Sequence, residues 1–80
     1  MSPVSLPRPL TTFACGVMVQ LAFFSLNPIE AERLRELGLR EGNAIHVIRN
    51  EESFICKIEA SRVVLRREVA MKIFGTIQEI

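Results

Sequence analysis

The sequence predicts a mainly β domain with two short helices, folded as a small antiparallel barrel. Three observations predict this class. Short apolar runs with period-two alternation recur along the chain, and turn residues separate them. The predicted order is strand, helix, three strands, short helix, strand, which supplies no crossover helices for a parallel sheet. The chain has 80 residues, of which 49% are apolar, so it fits one domain.

Composition and charge exclude several classes of protein. The formal net charge is +1 and the sequence pI is about 7.8, which disfavours a nucleic-acid binder that depends on a strong basic field. The apolar fraction excludes a disordered chain. A chain of this size keeps few side chains for a catalytic cleft once its core is filled. Two cysteines are too few for a disulfide scaffold and fit a reducing compartment.

The N-terminal third carries almost no charge. Its run Leu10–Leu26 is at the short limit for a membrane-spanning helix and is interrupted by polar residues, so we expect it inside the fold. Residues 1–9 contain Pro3, Pro7 and Pro9 and lack the features of a signal peptide. We therefore predict an extended lead over residues 1–9 and a domain over residues 10–80.

The first strand is predicted over Val17–Phe24, which is rich in residues that suit a pleated surface. Strict alternation would place Phe23 on the face of Val19 and Leu21, and Phe24 on the opposite face with Met18. Exposed Met18 or Phe24 would then add an apolar patch to the surface.

A helix is predicted to begin at Asn27-Pro28 and to stop at Gly38. Asn27 is a typical N-cap, and proline is favoured at the first helical position. Ala31, Leu34 and Leu37 recur at helical spacing and are predicted to form the core stripe. A glycine directly after this stripe is the usual helix stop.

The rest of the chain is predicted as short strands around one more helix. Three strands are expected at Ala44–Arg49, Phe54–Glu59 and Arg62–Leu65. A helix of one to two turns is expected over Arg66–Phe74, Gly75 should end it, and Thr76–Ile80 should form the closing strand.

Cys15, His46 and Cys56 are the candidate metal ligands. Structural zinc sites use four ligands, commonly in closely spaced pairs, and no such pair occurs here. Cys15 and Cys56 are therefore interpreted as core residues and His46 as a solvated or edge histidine. A ligand role shared between two chains is the alternative. A Cys–His–Asp catalytic set is excluded because the sequence has no aspartate.

A basic and acidic cluster lies at the end of the first helix and in the following turn. Arg33, Arg35, Arg40 and Glu41 are predicted to be exposed there and are the candidate contacts for a protein partner. A basic face of this kind also suits phosphates or anionic lipid. An ordinary solvated helix face is the other interpretation. No glycine-rich phosphate loop is present, because all four glycines lie at predicted element boundaries.

Two segments resemble a known family. Residues 33–47, RLRELGLREGNAIHV, resemble the signature of the FeoA domains of ferrous iron transport protein A, in which a helix ends in R-L-x-E-L-G-L and x-x-G leads into a strand. Residues 63–70, VVLRREVA, resemble the family's segment before the final strand. The sequence departs from the family at Ala60, where glycine is common, and at Val64, where a smaller residue is common.

The resemblance implies an SH3-like barrel in a cytoplasmic, bacterial protein that is not an enzyme. It implies an accessory role in ferrous iron uptake through contact with the cytosolic G-domain region of the membrane permease FeoB. The membrane would then be reached only through this partner. Family members have no agreed catalytic activity, so no catalytic residue is expected.

Two other functions remain open from the sequence. One is a metal-binding module in which His46, Cys15 and Cys56 gather Fe²⁺ or Zn²⁺ across a homodimer, and the apolar first strand is compatible with such self-association. The other is a nucleic-acid-binding barrel, which the balanced charge and the lack of exposed stacking aromatics disfavour.

Overall fold

The computed structural model describes residues 6–78, which form one antiparallel sheet with two helices. The strands are β1 Arg8–Pro9, β2 Met18–Phe24, β3 Ala44–Asn50, β4 Ser53–Ile58, β5 Ser61–Arg66 and β6 Ile73–Ile77. Helix α1 spans Pro28–Glu36, helix α2 spans Arg67–Ala70, and a single 3-10 turn covers Leu10–Thr12. The order across the sheet is β1-β6-β2-β3-β4-β5.

The predicted fold class is confirmed, but the sheet is not a closed barrel. The two outermost strands, β1 and β5, do not pair with each other within residues 6–78. Strand β1 has only two residues and one of them is Pro9, which has no backbone N–H to donate. The sheet therefore wraps around its core and leaves β5 with a free edge.

One apolar core joins the N-terminal third to the charged remainder. It contains Val19 and Leu21 from β2, and Leu34 from α1 packs against it. The remaining buried members of this core come from every part of the fold: Leu10, Phe13, Leu39, Ile45, Val47, Phe54, Cys56, Ile58, Val63, Leu65, Ala70 and Ile73. No polar side chain is fully buried among residues 6–78. The stability of the domain therefore comes from apolar burial and from backbone pairing.

A polar network ties the 3-10 turn to the far end of β3. The Asn50 side-chain amide donates to the carbonyl oxygens of Thr11 at 2.9 Å and Phe13 at 2.7 Å. Arg67 donates to the Asn50 side-chain oxygen at 2.7 Å and to the Glu51 carbonyl at 2.8 Å. Asn50 directly follows the predicted strand Ala44–Arg49, and its role in joining three segments is visible only in the fold.

Helix α1 follows its local signals. The Asn27 side-chain oxygen accepts from the Glu30 backbone N–H at 2.9 Å, and the Asn27 amide donates to the Glu30 carboxylate at 2.7 Å. The first bond satisfies one of the free backbone N–H groups at the helix N-terminus, and the second holds the Asn27 side chain in place. The helix ends at Leu37, and Gly38 adopts φ +102°, which glycine tolerates without strain.

The predicted faces of Phe23 and Phe24 are wrong. The register between β2 and β6 shifts between Leu21 and Phe23, so the alternation of β2 reverses there. Phe24 packs against the core, whereas Phe23 is 46% exposed and stacks on Phe74 with ring centroids 4.7 Å apart. Met18 is exposed, as the prediction of an apolar patch requires, but Phe24 cannot contribute to that patch.

The second helix is shorter than predicted. It ends at Ala70, and Ile73, Phe74 and Gly75 belong to β6 instead of a helix and its stop. The predicted closing strand reached Ile80, but residues 79 and 80 lie outside the described residues. Residues 1–5 of the predicted lead also lie outside them, and its Arg8 and Pro9 form β1 by pairing with Gly75 and Phe74.

Gly75 lies where β6 passes between β1 and β2. A Cβ atom at this position would come within 2.6 Å of both the Gln20 backbone oxygen and the Val19 Cγ1 atom. Because one of these atoms belongs to the backbone of a central strand, the contact cannot be relieved by a rotamer change. Only glycine fits here.

We expect Gly75→Ala to lower the free energy of unfolding by about 2–4 kcal/mol, since it forces β6 away from β2. The matched control is Gly16→Ala, where φ is +90° and no atom lies within 4 Å of the added methyl. Only backbone strain acts in the control, so it should cost about 1 kcal/mol. Urea unfolding measures both variants, and equal losses would contradict the close approach at Gly75.

Candidate docking surface

The end of α1 and the turn after it are held together by a bidentate ion pair. Arg35 Nη2 lies 2.8 Å from Glu41 Oε2, and Arg35 Nε donates to Glu41 Oε1 at 3.1 Å. A weaker contact of 3.4 Å joins Arg35 Nη1 to Glu32 Oε2. The Arg35 guanidinium also lies over the Phe24 ring, with its Cζ 5.5 Å from the centroid. Arg35 therefore connects helix, turn and β2.

This pairing shifts the ionisation of both partners. The hydrogen bonds from Arg35, helped by a backbone hydrogen bond, lower the pKa of Glu41 from 4.5 to about 2. The same hydrogen bonds raise the pKa of Arg35. Both side chains remain more than one-third exposed, so solvent screens the pair and its contribution to stability is small.

Arg40 belongs to the same cluster. Its Nε donates to the Arg35 carbonyl oxygen at 3.2 Å, and the same oxygen accepts from the Gly38 backbone N–H at 3.0 Å. The structure thus brings together Arg35, Arg40 and Glu41, which the sequence predicts as partner contacts. Much of their hydrogen-bonding capacity is used within the chain, which leaves them less available to a partner.

Arg33 points elsewhere. It lines a groove of about 400 Å³ between α1 and the β5–α2 segment. Within residues 6–78 it is exposed and makes no ion pair or side-chain hydrogen bond. The groove is lined by Glu30, Arg33, Leu34, Leu37, Val64, Leu65, Arg66 and Val69. We call this set the α1–β5 groove.

Two exposed apolar side chains make this groove unlike an ordinary solvated face. Val64 is 65% exposed and Leu37 is 54% exposed, and they line the groove from opposite elements. The prediction that Leu37 belongs to the core stripe is therefore wrong, because Leu37 is the C-cap residue and Leu39 is buried after the turn instead. In sequence, Val64 departs from the family pattern, in which a smaller residue is common at this position. The alternation of β5 contained the signal, because Val63 and Leu65 face the core and leave Val64 outside between two arginines.

The three candidate metal ligands are not brought together in one chain. Cys56 is fully buried on the inner face of β4, and desolvation raises the pKa of its thiol to about 11. His46 is opposite Met18 on one side and Lys57 on the other, which places it on the outer face of the sheet. No cluster of three or more histidine, cysteine or acidic residues occurs in the described part of the chain.

The interpretation of Cys15 as a core residue is wrong, whereas the interpretation of Cys56 is confirmed. Cys15 is exposed in the turn that precedes β2, where Gly16 has a positive φ. This turn carries the chain from the 3-10 segment into β2, so its side chains point away from the core.

Within residues 6–78, no helix is long and apolar enough to cross a membrane.

Comparison with known proteins agrees with this geometry. The FeoA domain family model matches residues 8–77. The fold matches a manganese-dependent transcriptional repressor with a TM-score of 0.82 and 19% identity over 95% of this chain. The chain spans only 44% of that repressor's length. No curated protein matches the chain in sequence.

Two solved FeoA structures cover most of this chain. The crystal structure of an iron uptake regulatory protein (FeoA) has a TM-score of 0.81 and 16% identity, and covers 91% of this chain and 99% of its own. The solution structure of the FeoA protein from Chlorobium tepidum has a TM-score of 0.80 and 21% identity, covering 89% and 70%. At these identities the structures establish the fold alone.

The strand order and the small curled sheet define this chain as a small SH3-like β domain. The match over residues 8–77 identifies it further, and the chain belongs to the FeoA domain family. The family resemblance of residues 33–47 and 63–70 is therefore confirmed.

Acidification should remove the contribution of Glu41 to stability. A carboxyl whose pKa is depressed on folding stabilises the fold above its unfolded pKa and loses that effect as the pH falls through its folded pKa. The stability difference between wild type and Glu41→Gln should therefore shrink as the pH falls from 4.5 to about 2. Urea unfolding across this range measures it. Glu36→Gln, at a helix glutamate that forms no ion pair within residues 6–78, is the control for the loss of one negative charge.

The two cysteines should differ in reactivity. We expect Cys15 to react readily with a thiol reagent such as Ellman's reagent in the native protein, since it is exposed. Cys56 should react only after denaturation, because it is buried and its thiol pKa is raised to about 11. Cys15→Ser should abolish the native reaction and Cys56→Ser should leave it unchanged. Rapid native reaction in the Cys15→Ser variant would contradict the buried position of Cys56.

Proposed function

We propose that this protein is a non-enzymatic, cytoplasmic accessory protein of ferrous iron uptake. It acts by contact with the cytosolic G-domain region of a FeoB-type permease and reaches the membrane only through that partner. The observation that carries the proposal is the FeoA domain match over residues 8–77. In this proposal residues 10–80 are the functional domain, and residues 1–9 are a lead whose Arg8 and Pro9 pair with β6.

The chemistry of the described residues supports contact over catalysis. In active sites, ionisable groups with shifted pKa values cluster in a cleft. Here the shifted groups are Arg35 and Glu41, which pair with each other to hold a turn, and Cys56, which is buried in the core. None of the three lies at a pocket with a second reactive group beside it. The α1 surface, by contrast, presents an unpaired arginine beside exposed apolar side chains.

We place the partner contact on the α1 surface that contains Arg33, Arg35, Arg40 and Glu41. Arg33 supplies the free charge, and the other three keep the turn in one conformation. A rigid turn next to an unpaired charge favours specific association, because less side-chain entropy is lost on binding.

The metal-binding alternative gains no support from the positions of its residues. His46 and Cys56 lie on opposite faces of the sheet, so a metal could not contact both within one chain. A site for Fe²⁺ or Zn²⁺ would need His46 or Cys15 from two chains, and Cys56 would have to leave the core. Equilibrium dialysis with Fe²⁺ and with Zn²⁺ separates the functions, since a pure contact protein retains no stoichiometric metal.

We expect the double variant Arg33→Glu, Arg40→Glu to bind the purified cytosolic domain of FeoB about tenfold more weakly than wild type. Charge reversal at a contact surface replaces attraction with repulsion. The matched control is Lys57→Glu, Lys72→Glu, which changes the net charge equally at exposed residues outside this surface. Biolayer interferometry at two salt concentrations measures all three proteins.

Equal weakening of both double variants would mean that net charge alone drives association, which would contradict the proposed surface. Absence of wild-type binding would overturn the proposed partner. Circular dichroism spectra that match wild type would show that the weakened binding is not caused by unfolding.

A further inference from the structure

We propose that the free edge of β5, together with the α1–β5 groove, receives an extended segment of a partner protein by strand addition. The segment carries carboxylates on one face and apolar side chains on the other. This inference rests on the proposed function in one respect, that the protein acts by protein contact. It adds the chemical character of the bound segment and identifies β5 as the strand that binds it.

Strand β5 has the length and position that strand addition requires. It spans Ser61–Arg66, pairs with β4 over its whole length, and is outermost in the sheet. Every second residue of an antiparallel edge strand presents its backbone N–H and C=O to the outside. The other edge, β1, has only two residues and contains Pro9, so it offers little to a partner strand.

The groove beside this edge is suited to apolar side chains. Leu34, Leu37 and Val69 line it from the two helices, and Val64 and Leu65 line it from β5 itself. A strand added to β5 would direct alternate side chains to opposite faces of the sheet. One set would enter the groove, and the other set would lie beside the outer face of β5.

The charges around the edge favour an acidic segment. Arg62 and Arg66 are exposed two residues on either side of Val64, and Arg33 lines the groove from α1. None of the three arginines forms an ion pair within residues 6–78. The one acidic residue of the groove, Glu30, already accepts a hydrogen bond from Asn27. The edge therefore presents uncompensated positive charge.

The same charges disfavour a second copy of this chain as the occupant. In the two-fold antiparallel register centred on Val64, Arg62 of one copy lies opposite Arg66 of the other, and this juxtaposition occurs twice. Like charges directly opposite each other destabilise strand pairing. A partner strand with carboxylates at those two positions converts both repulsions into attractions.

Titration of the full-length protein with two capped peptides tests this inference. The acidic probe is Ser-Glu-Leu-Thr-Leu-Glu-Ser, and the basic probe has lysine in place of each glutamate. In amide NMR spectra we expect the acidic probe to shift Ser61–Arg66 and the groove residues of α1. We also expect slower hydrogen exchange at the edge amides, binding that weakens with added salt, and no response to the basic probe.

A charge exchange makes the test independent of unfolding. The variant Arg62→Glu, Arg66→Glu should lose about tenfold in affinity for the acidic probe and gain affinity for the basic probe, since complementarity is restored. The control Arg8→Glu, Lys72→Glu changes the net charge equally at exposed residues away from β5, and it should bind the acidic probe like wild type. If the Arg62→Glu, Arg66→Glu variant binds the basic probe more tightly than wild type does, strand β5 must be folded in that variant.

Equal binding of the two probes, shifts outside β5 and the groove, or salt-dependent dimerisation through β5 would each overturn the inference. These experiments distinguish a failure of the proposed permease contact from a failure of the proposed edge site. Peptide binding without any contact to FeoB would overturn the proposed partner and leave the edge site standing. Contact with FeoB by a wild-type protein that does not bind the acidic probe would overturn the edge site alone.

Discussion

The pairing of β6 with β2 is the constraint on which the rest of the structure depends. It brings the C-terminal strand against the apolar N-terminal third and places β2 between β6 and β3. The close approach is allowed by the missing side chain of Gly75 and by the irregularity between Leu21 and Phe23. With β2 in the centre, β5 becomes the outermost strand. The edge available to a partner is therefore a consequence of how the two ends of the chain meet.

Local signals in the sequence predicted the helix and most strands correctly. Asn27, Pro28 and Gly38 act within a few residues of themselves, so the bounds of α1 could be derived without a tertiary structure. Alternation likewise predicted β3 and β4 to within a residue or two and identified Cys56 as a core residue. The short length of these strands and the turns between them were sufficient to predict the fold class.

Features that depend on pairing between distant strands could not be derived in this way. The reversal of Phe23 and Phe24 follows from a register shift against β6, and the sequence of β2 contains no signal that predicts this shift. The same limit applies to α2, which ends early because Ile73 and Phe74 are taken into β6. Cys15 has the neighbours of a core residue but lies in an exposed turn.

At the candidate docking surface, too, the sequence predicted which residues lie nearby along the chain but not which distant residues contact each other. The arginines and Glu41 near the end of α1 were visible in the sequence, but not which of them pair with one another. The bidentate contact between Arg35 and Glu41 converts two predicted contact residues into supports of the turn. Arg33 is left as the free charge, and Val64 joins it from a strand thirty residues away along the sequence. Only the fold places α1 beside β5.

The central claim is that the protein works by presenting the face of α1 and β5 to another protein. Amide hydrogen exchange on the full-length protein, with and without the cytosolic domain of FeoB, tests it most directly. Slower exchange confined to Pro28–Glu36, the following turn and Ser61–Arg66 is the result expected. Protection confined to the other edge of the sheet instead, at Arg8–Pro9 and Ile73–Ile77, would contradict the claim.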